Sequence, residues 1–360
     1  MNLLYVAKLT DSKLKEKLTP LLFSSHVSHV YVLRDYPGIA FDERVTYLCP
    51  KKPVKGVIRH ILKVFKGISY CRKYNIDAVI GVLITPHGYI GRTISVFAHL
   101  PYIHVTISGH REFWRDGKIE ECFNYWLLRK ASFIMVTGSQ TKQYLLNKNF
   151  DSKKITILPN IPDNYFLNIH NVISSHKRKY DILFMSHIDK NKNLGLLLRA
   201  VSVMKTEKEI KVLIVGDGEE LQKMIALSKA LNIDDRTVFS GYVSNIKDKE
   251  DVCQNAKIFV SCSRGEGFPV SLLEAMSCGC VPVVSNVGDI LDAIEQGENG
   301  FCYNDTDDEK ELAGYLEYLL KNGNRIEEMS EKSRQISQRV SVEKNAEIWD
   351  SVLSKLFDRK

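Results

Sequence analysis

Short β-branched runs alternate with amphipathic segments twice along this chain, a pattern that calls for parallel sheets covered by helices on both faces. In the second half DILFMS, IKVLIVG, RTVFSG, KIFVSC, VPVVS and FCY read as strands. Helical patterns between them begin near Leu194, Glu219, Asn245, Pro269, Asp289 and Asp307. The first half repeats the theme with NLLYV, HVYVL, DAVIGVL, YIHVTI, FIMVTG and KITILP, and with helical stretches near 11–25, 54–74, 88–99, 121–130 and 139–149. After Phe301 the apolar spacing is helical only, and the chain closes on the amphipathic segment VEKNAEIWDSVLSKLF.

At 360 residues the chain exceeds what one hydrophobic core fills, so each series becomes its own doubly wound domain. The boundaries expected are 1–167 for an N-terminal Rossmann-like domain, 168–179 for a polar linker, and 180–340 for a C-terminal Rossmann-like domain. Residues 341–360 form a helix expected to return to the N-terminal domain. Ligands of open α/β sheets bind at the strands' carboxyl ends, which places the expected site in a cleft between two facing domains. A charged fraction of 26% with 44% hydrophobic residues excludes disordered and fibrous classes. No apolar run reaches membrane-spanning length, and the opening segment reads as a first strand, not a leader. The eight cysteines lack metal-site or disulfide-framework spacing and read as reduced core thiols.

Chemistry concentrates in SCSRGEGFPVSLLEAMSCGCVPVVSNVG, residues 261–288. A strand ends near Cys262, a loop with Gly265 and Gly267 lets backbone approach a ligand, and a helix begins near Pro269, where a missing N–H costs nothing. Glu266 lies in the loop and Glu274 in the helix. Side chains on a helix lean toward its N-terminus, so both carboxylates reach toward one polyhydroxylated ligand. Taken singly, either is equally a solvated loop residue or a carboxylate favoured by the helix dipole.

As a whole the stretch resembles the donor site of retaining glycosyltransferases of family four, also called glycosyltransferases group 1, which have the GT-B fold. The resemblance implies that Glu266 contacts the transferred sugar as a catalytic residue. It further implies that Gly267, Phe268, Pro269, Val270 and Ser271 place backbone around sugar and phosphate, and that Glu274 binds the ribose. A second loop, FMSHIDKNKN, precedes a helix and carries Ser186, His187 and Lys192 where the family has glycine, arginine and lysine. Lys192 therefore maps onto the lysine that stabilises the leaving diphosphate, and His187 stands in for the arginine. Tyr242 and Val243, in the loop from Gly241 to Ser244, are expected at the edge of the base pocket. In the first domain His110, within SGHREFW, is expected near donor or acceptor, with His104 as its competitor and a purely structural role for His110 an equal alternative.

The resemblance implies a retaining, metal-independent hexosyltransferase that uses a nucleotide-sugar as substrate, with a UDP-sugar favoured and no cofactor. The acceptor expected is a glycan or a lipid-linked intermediate of cell-envelope polysaccharide synthesis. The alternatives are a nucleotide-sugar epimerase or phosphorylase of the same fold, or a non-catalytic binding protein; no nucleic-acid signature is present. Gly216 and Gly218 read as scaffolding because a dinucleotide fingerprint would need a third glycine. Asp305-Thr306-Asp307 reads as a helix cap through Thr306 or Asp307, not as a metal site.

Charge divides unevenly: residues 1–170 hold 24 Lys+Arg against 12 Asp+Glu, whereas residues 171–360 hold 26 against 31. The stretch 51–73 has eight Lys or Arg and no acid, with apolar residues at helical spacing. It reads as a core-packed helix whose basic face meets anionic lipid, consistent with a cytoplasmic protein peripheral on the inner face of the membrane.

Overall fold

The β-branched runs form two parallel sheets, each in its own unit. The computed structural model describes residues 1–50, 56–113, 118–205 and 209–357. One unit comprises Met1–Asn160 with Val342–Lys360, the other Ile161–Ser341.

In the first unit the strands are β1 (Asn2–Val6), β2 (His29–Leu33), β3 (Val45–Leu48), β4 (Ala78–Val82), β5 (Tyr102–Val105), β6 (Phe133–Val136) and β7 (Ile155–Ile157), in the order β3-β2-β1-β4-β5-β6-β7. Residues of β1, β4, β5 and β6 are almost all buried, as strands covered on both faces must be. Strand β3 was not legible as one: four residues at the sheet edge, mostly half-exposed, give no continuous apolar run.

One face of this sheet packs against α1 (Asp11–Phe23) and the last helix of the chain, Val342–Phe357. Trp349, Val352 and Leu353 are buried in the core that Leu14, Leu18 and Leu21 share. Asp350 accepts from the Ser24 hydroxyl at 2.5 Å, and the Asn345 amide donates to the Pro159 carbonyl at 2.9 Å. The opposite face carries α2 (Gly56–Lys73), α3 (Tyr89–Ala98), α4 (Lys118–Arg129) and α5 (Ser139–Asn147), which share a second core.

Helix α2 departs in part from the sequence expectation: Val64 and Ile68 pack on the core, but the rest of the apolar face does not. Val57, Ile58, Ile61, Leu62 and Phe65 are exposed, whereas Lys63 is buried. Two contacts set that rotation. The Lys63 ammonium meets the Asp35 carboxylate just after β2 at 2.8 Å, and Gly67 lets α3 approach so closely that a Cβ there would lie 2.3 Å from Ile94 Cδ1. Lys51, Lys52 and Lys55 lie outside the described residues.

The second unit has β8 (Tyr180–Met185), β9 (Val212–Val215), β10 (Thr237–Gly241), β11 (Ala256–Ser261), β12 (Val281–Ser285) and β13 (Phe301–Tyr303), in the order β10-β9-β8-β11-β12-β13. Its helices are α6 (Asn164–Leu167), α7 (Leu194–Val203), α8 (Leu221–Ala230), α9 (Ile246–Gln254), α10 (Val270–Ser277), α11 (Glu309–Lys321), α12 (Gly323–Arg334) and α13 (Ile336–Arg339), and Val342–Phe357 is then α14.

The units divide at Asn160, not in the polar stretch 168–179. That stretch is tied into the second unit: the Ile173 N–H donates to Gln254, the Ser175 N–H to Glu327, and the buried Arg178 guanidinium to the carbonyls of Ile173, Ala256, Cys278 and Gly279. A basic residue of the expected linker thus satisfies carbonyls left over where α10 ends. The helix expected from Asp289 is a single turn, Ile290–Asp292, because the Asn299 side chain takes the Ala293 carbonyl and the Glu295 N–H. The cap of α11 is Asp308, accepting from the Lys310 N–H at 2.8 Å, and not Thr306 or Asp307. Asp307 instead pairs with both terminal nitrogens of Arg264.

Candidate functional site

The strand order of the second sheet reverses between β8 and β11, since the chain leaves β8 toward β9 on one side while β11 occupies the other. Loops after such strands diverge and open a crevice at the sheet's carboxyl end. The loop 186–193 follows β8, the loop 262–269 follows β11, and both expected signature segments therefore meet at one place.

They meet through a charge pair. Lys192 Nζ donates to Glu266 Oε1, and Ser263 Oγ donates to the same oxygen at 2.7 Å. Both charged side chains are mostly buried, 22% exposed for Lys192 and 13% for Glu266, so water screens the pair only partly. Backbone pins hold the loops: the Arg264 N–H donates to the Asn191 carbonyl at 2.8 Å, and the Asn191 amide to the Gly265 carbonyl at 2.9 Å. Asp189 accepts from the Lys192 N–H at 2.8 Å and so orients the lysine from behind.

Glycines are required where loops touch. Gly288 has φ +62°, and a Cβ there would stand 2.1 Å from the Glu266 carbonyl oxygen. At Gly218 a Cβ would stand 2.3 Å from the Ile188 carbonyl oxygen, which gives the scaffolding role of that glycine its physical reason.

Helix α10 opens at this crevice. Pro269 is its N-cap, Phe268 is buried beneath it, and Gly267 accepts from the Asp289 N–H at 2.8 Å. The first turn of a helix presents N–H groups without helical partners, so Val270 and Ser271 lie where an anion is favoured. Glu274 sits one turn on, 5% exposed, with Oε1 3.4 Å from Lys249 Nζ of α9. Ser263, Asn191, Asp189 and Lys249 were not singled out from sequence; only the spacing of Ser263 three residues before Glu266 could have signalled one of them.

His187 is exposed and lies 3.3 Å from Glu219 across the neighbouring loop. Among the described residues, His187, Asp189 and Glu219 offer three ligand atoms within 4.8 Å of one another, the arrangement through which this loop could hold a cation. Tyr242 is exposed and Val243 half-buried just past Gly241, at the carboxyl end of β10.

His110 belongs to the first unit, in the turn Gly109–Phe113, where its ring stacks on Tyr144 with centroids 5.0 Å apart. His104 is fully buried. Its Nδ1 is 3.1 Å from the Tyr102 hydroxyl and its Nε2 3.3 Å from Glu112, whose other oxygen accepts from the Ile107 N–H. Such a closed set of partners makes His104 a pin between β5 and the following turn.

Two Rossmann-like units with the second unit's loops converging on a polar crevice define the GT-B class of fold. Residues 166–336 match the family model described as glycosyl transferases group 1. Similar proteins include an uncharacterized glycosyltransferase of Haemophilus influenzae, 28% identical over 91% of this chain and 90% of its own length. Another is a Campylobacter jejuni N-acetylgalactosamine-N,N'-diacetylbacillosaminyl-diphospho-undecaprenol 4-alpha-N-acetylgalactosaminyltransferase, 25% identical over 75% of each chain. Among solved structures, Anabaena Alr3699/HepE in complex with UDP superposes with TM-score 0.79 over 98% of this chain and 99% of its own, at 15% identity. The family-model match places residues 166–336, most of the second unit, in the group 1 glycosyl transferases.

Proposed function

We propose that this glycosyltransferase moves a hexose from a UDP-sugar to a glycan or lipid-linked acceptor with retention of anomeric configuration and without a metal. The observation that carries the reading is the Lys192–Glu266 pair at the reversal point of the second sheet, beside the opening turn of α10. A donor entering there exchanges the partners of both residues: Lys192 turns to the diphosphate, and Glu266 accepts from sugar hydroxyls. The helix opening adds partial positive charge where the leaving group becomes more negative. In such retention the C1–O bond to the phosphate breaks while the acceptor oxygen bonds C1 from the same face of the sugar, and the leaving diphosphate takes the acceptor hydroxyl's proton. No protein base is then needed, and the enzyme's contribution is positioning and electrostatics.

Support for UDP comes from the HepE complexes, and support for a lipid-linked acceptor from the diphospho-undecaprenol named for the Campylobacter relative. The first unit is read as the acceptor side, with the protein peripheral to the membrane that carries such acceptors. No helix of the described residues is long and apolar enough to cross a membrane. A thermal-shift screen of UDP-, GDP- and ADP-sugars, each with and without chelator, tests the donor reading, because a ligand of the folded state raises the melting temperature by mass action. A shift with UDP-sugars that survives chelation is expected. No shift with any of the three, or a shift only with added divalent metal, contradicts it.

A further inference from the structure

We infer that the loops after β8 and β9 bind a borderline divalent cation, of the zinc and cobalt kind, through His187, Asp189 and Glu219. The inference does not depend on the transfer chemistry, because it rests on the placement of these three side chains. Such an ion would tie the loop that carries Lys192 to its neighbour across the sheet edge.

The placement starts from Ile188. That residue is fully buried in the core of the second unit, whereas His187 on one side of it is exposed and Asp189 on the other is half-buried, so both face away from that core. Three backbone hydrogen bonds then clamp the two loops. The Ser186 N–H donates to the Val215 carbonyl at 3.0 Å, the Ile188 N–H to the Asp217 carbonyl at 2.9 Å, and the Glu220 N–H to the Ile188 carbonyl at 3.1 Å. Glu219 therefore stands beside His187, with Nε2 and Oε2 3.3 Å apart. Asp189 is already oriented, accepting from the Lys192 N–H at 2.8 Å, and one ligand atom from each of the three residues lies within 4.8 Å of the others. Ligands held by backbone in this way lose little freedom when an ion arrives.

Charge calls for a cation, and the donor set gives its class. Two carboxylates share this small radius, and among the described residues neither Asp189 nor Glu219 is paired with a lysine or arginine. The lysines of these loops are engaged elsewhere: Lys192 Nζ donates to Glu266, and Lys223 Nζ lies 3.2 Å from Glu220. Like charges so close repel, and a dication offsets both. One imidazole nitrogen with two carboxylate oxygens suits a borderline ion, whereas magnesium and calcium favour shells of oxygen alone. Bonds of about 2.1 Å at tetrahedral angles set neighbouring ligand atoms about 3.4 Å apart. The 3.3 Å between His187 and Glu219 meets that requirement.

Equilibrium dialysis of the full chain, free of any affinity tag, against zinc, cobalt or magnesium ions tests this. The wild type should retain zinc and cobalt in preference to magnesium, and zinc should raise its melting temperature because the ion binds the folded state. His187→Ala and Glu219→Gln should each weaken zinc binding by at least the roughly 10- to 100-fold that follows loss of a mere outer-shell partner. His170→Ala, which removes an exposed histidine of the same unit outside the cluster, should keep wild-type affinity. The side chains of His187 and Glu219 are 59% and 67% exposed, so both variants should melt like the wild type in chelator. Bound cobalt should lack the near-ultraviolet charge-transfer band of a thiolate ligand, which separates this site from the free cysteines. Equal zinc affinity in the wild type and the two variants, retention of magnesium over zinc, or a thiolate band would each overturn the inference. The thermal shift by UDP in chelator reports the donor site separately: its absence with zinc binding intact counts against the transferase reading alone.

Discussion

Replacing Glu266 by glutamine should separate diphosphate binding from sugar transfer. In the free protein the Glu266 carboxylate holds Lys192, and on the proposed reading a nucleoside diphosphate must take the lysine from it. A fully exposed ion pair is worth about 0–1 kcal/mol and breaking a buried one costs about 3–5 kcal/mol. With side-chain exposures of 13% and 22%, this pair lies between, at about 1–2 kcal/mol. Glutamine keeps the shape and the Ser263 contact but releases Lys192. UDP should then bind about 5- to 30-fold more tightly, the same energy expressed as affinity. Transfer should fall about ten- to a hundred-fold, because the sugar loses hydrogen bonds to a charged acceptor. Isothermal titration with UDP and initial rates with the donor found by thermal shift measure the two effects. A parallel loss of UDP affinity and rate would mean that Glu266 does not compete for Lys192, and the exchange of partners would be wrong.

Lys192→Ala should lower turnover about ten- to a hundred-fold even at saturating donor, and turnover that persists in chelator for the wild type tests the metal-free step; chelation that abolishes transfer, with manganese restoring it, would transfer the role to His187, Asp189 and Glu219. Gly288→Ala should destabilise by about 2–4 kcal/mol in denaturant melts, combining a left-handed backbone with a Cβ forced onto the Glu266 carbonyl, whereas Gly314→Ala in helix α11, with open space around it, should be neutral or gain about 0.5–1 kcal/mol. A harmless Gly288→Ala would refute the close approach. Burial beside Lys63 holds the His87 imidazole down at about 4 against an ordinary 6.5. Between those values the unfolded chain binds the proton and the fold does not, so stability falls as pH drops from 6.5 toward 4, by about 3 kcal/mol at most. Urea melts of wild type and His87→Gln at pH 7 and pH 4 check this: the variant should lose less stability on acidification, and an equal loss in both would show that His87 is not the group titrating.

Alternation of strand and helix was readable because both faces of each sheet are covered, so nearly every strand is a continuous apolar run. Strand β3 escaped because a half-exposed edge strand carries no such run. The rotation of α2 escaped for a different reason: its apolar and basic residues both recur at helical spacing, and the choice between them is made by Asp35 and Ile94, distant in sequence. At the candidate site the loops and their glycines were legible from local signals. The contact that joins them, between residues 192 and 266, depends on β8 and β11 lying side by side, which no local pattern encodes. The same limit hid Lys249 beside Glu274 and Glu219 beside His187.

Retention at the Lys192–Glu266 site is tested most directly by following the donor in real time by proton NMR with wild type, Glu266→Ala and Lys192→Ala. The anomeric signal of the sugar first released or transferred by the wild type should have the donor's configuration, with the rate falling at least ten-fold in both variants. A first-formed product of opposite configuration, or wild-type rates in the variants, would contradict the account.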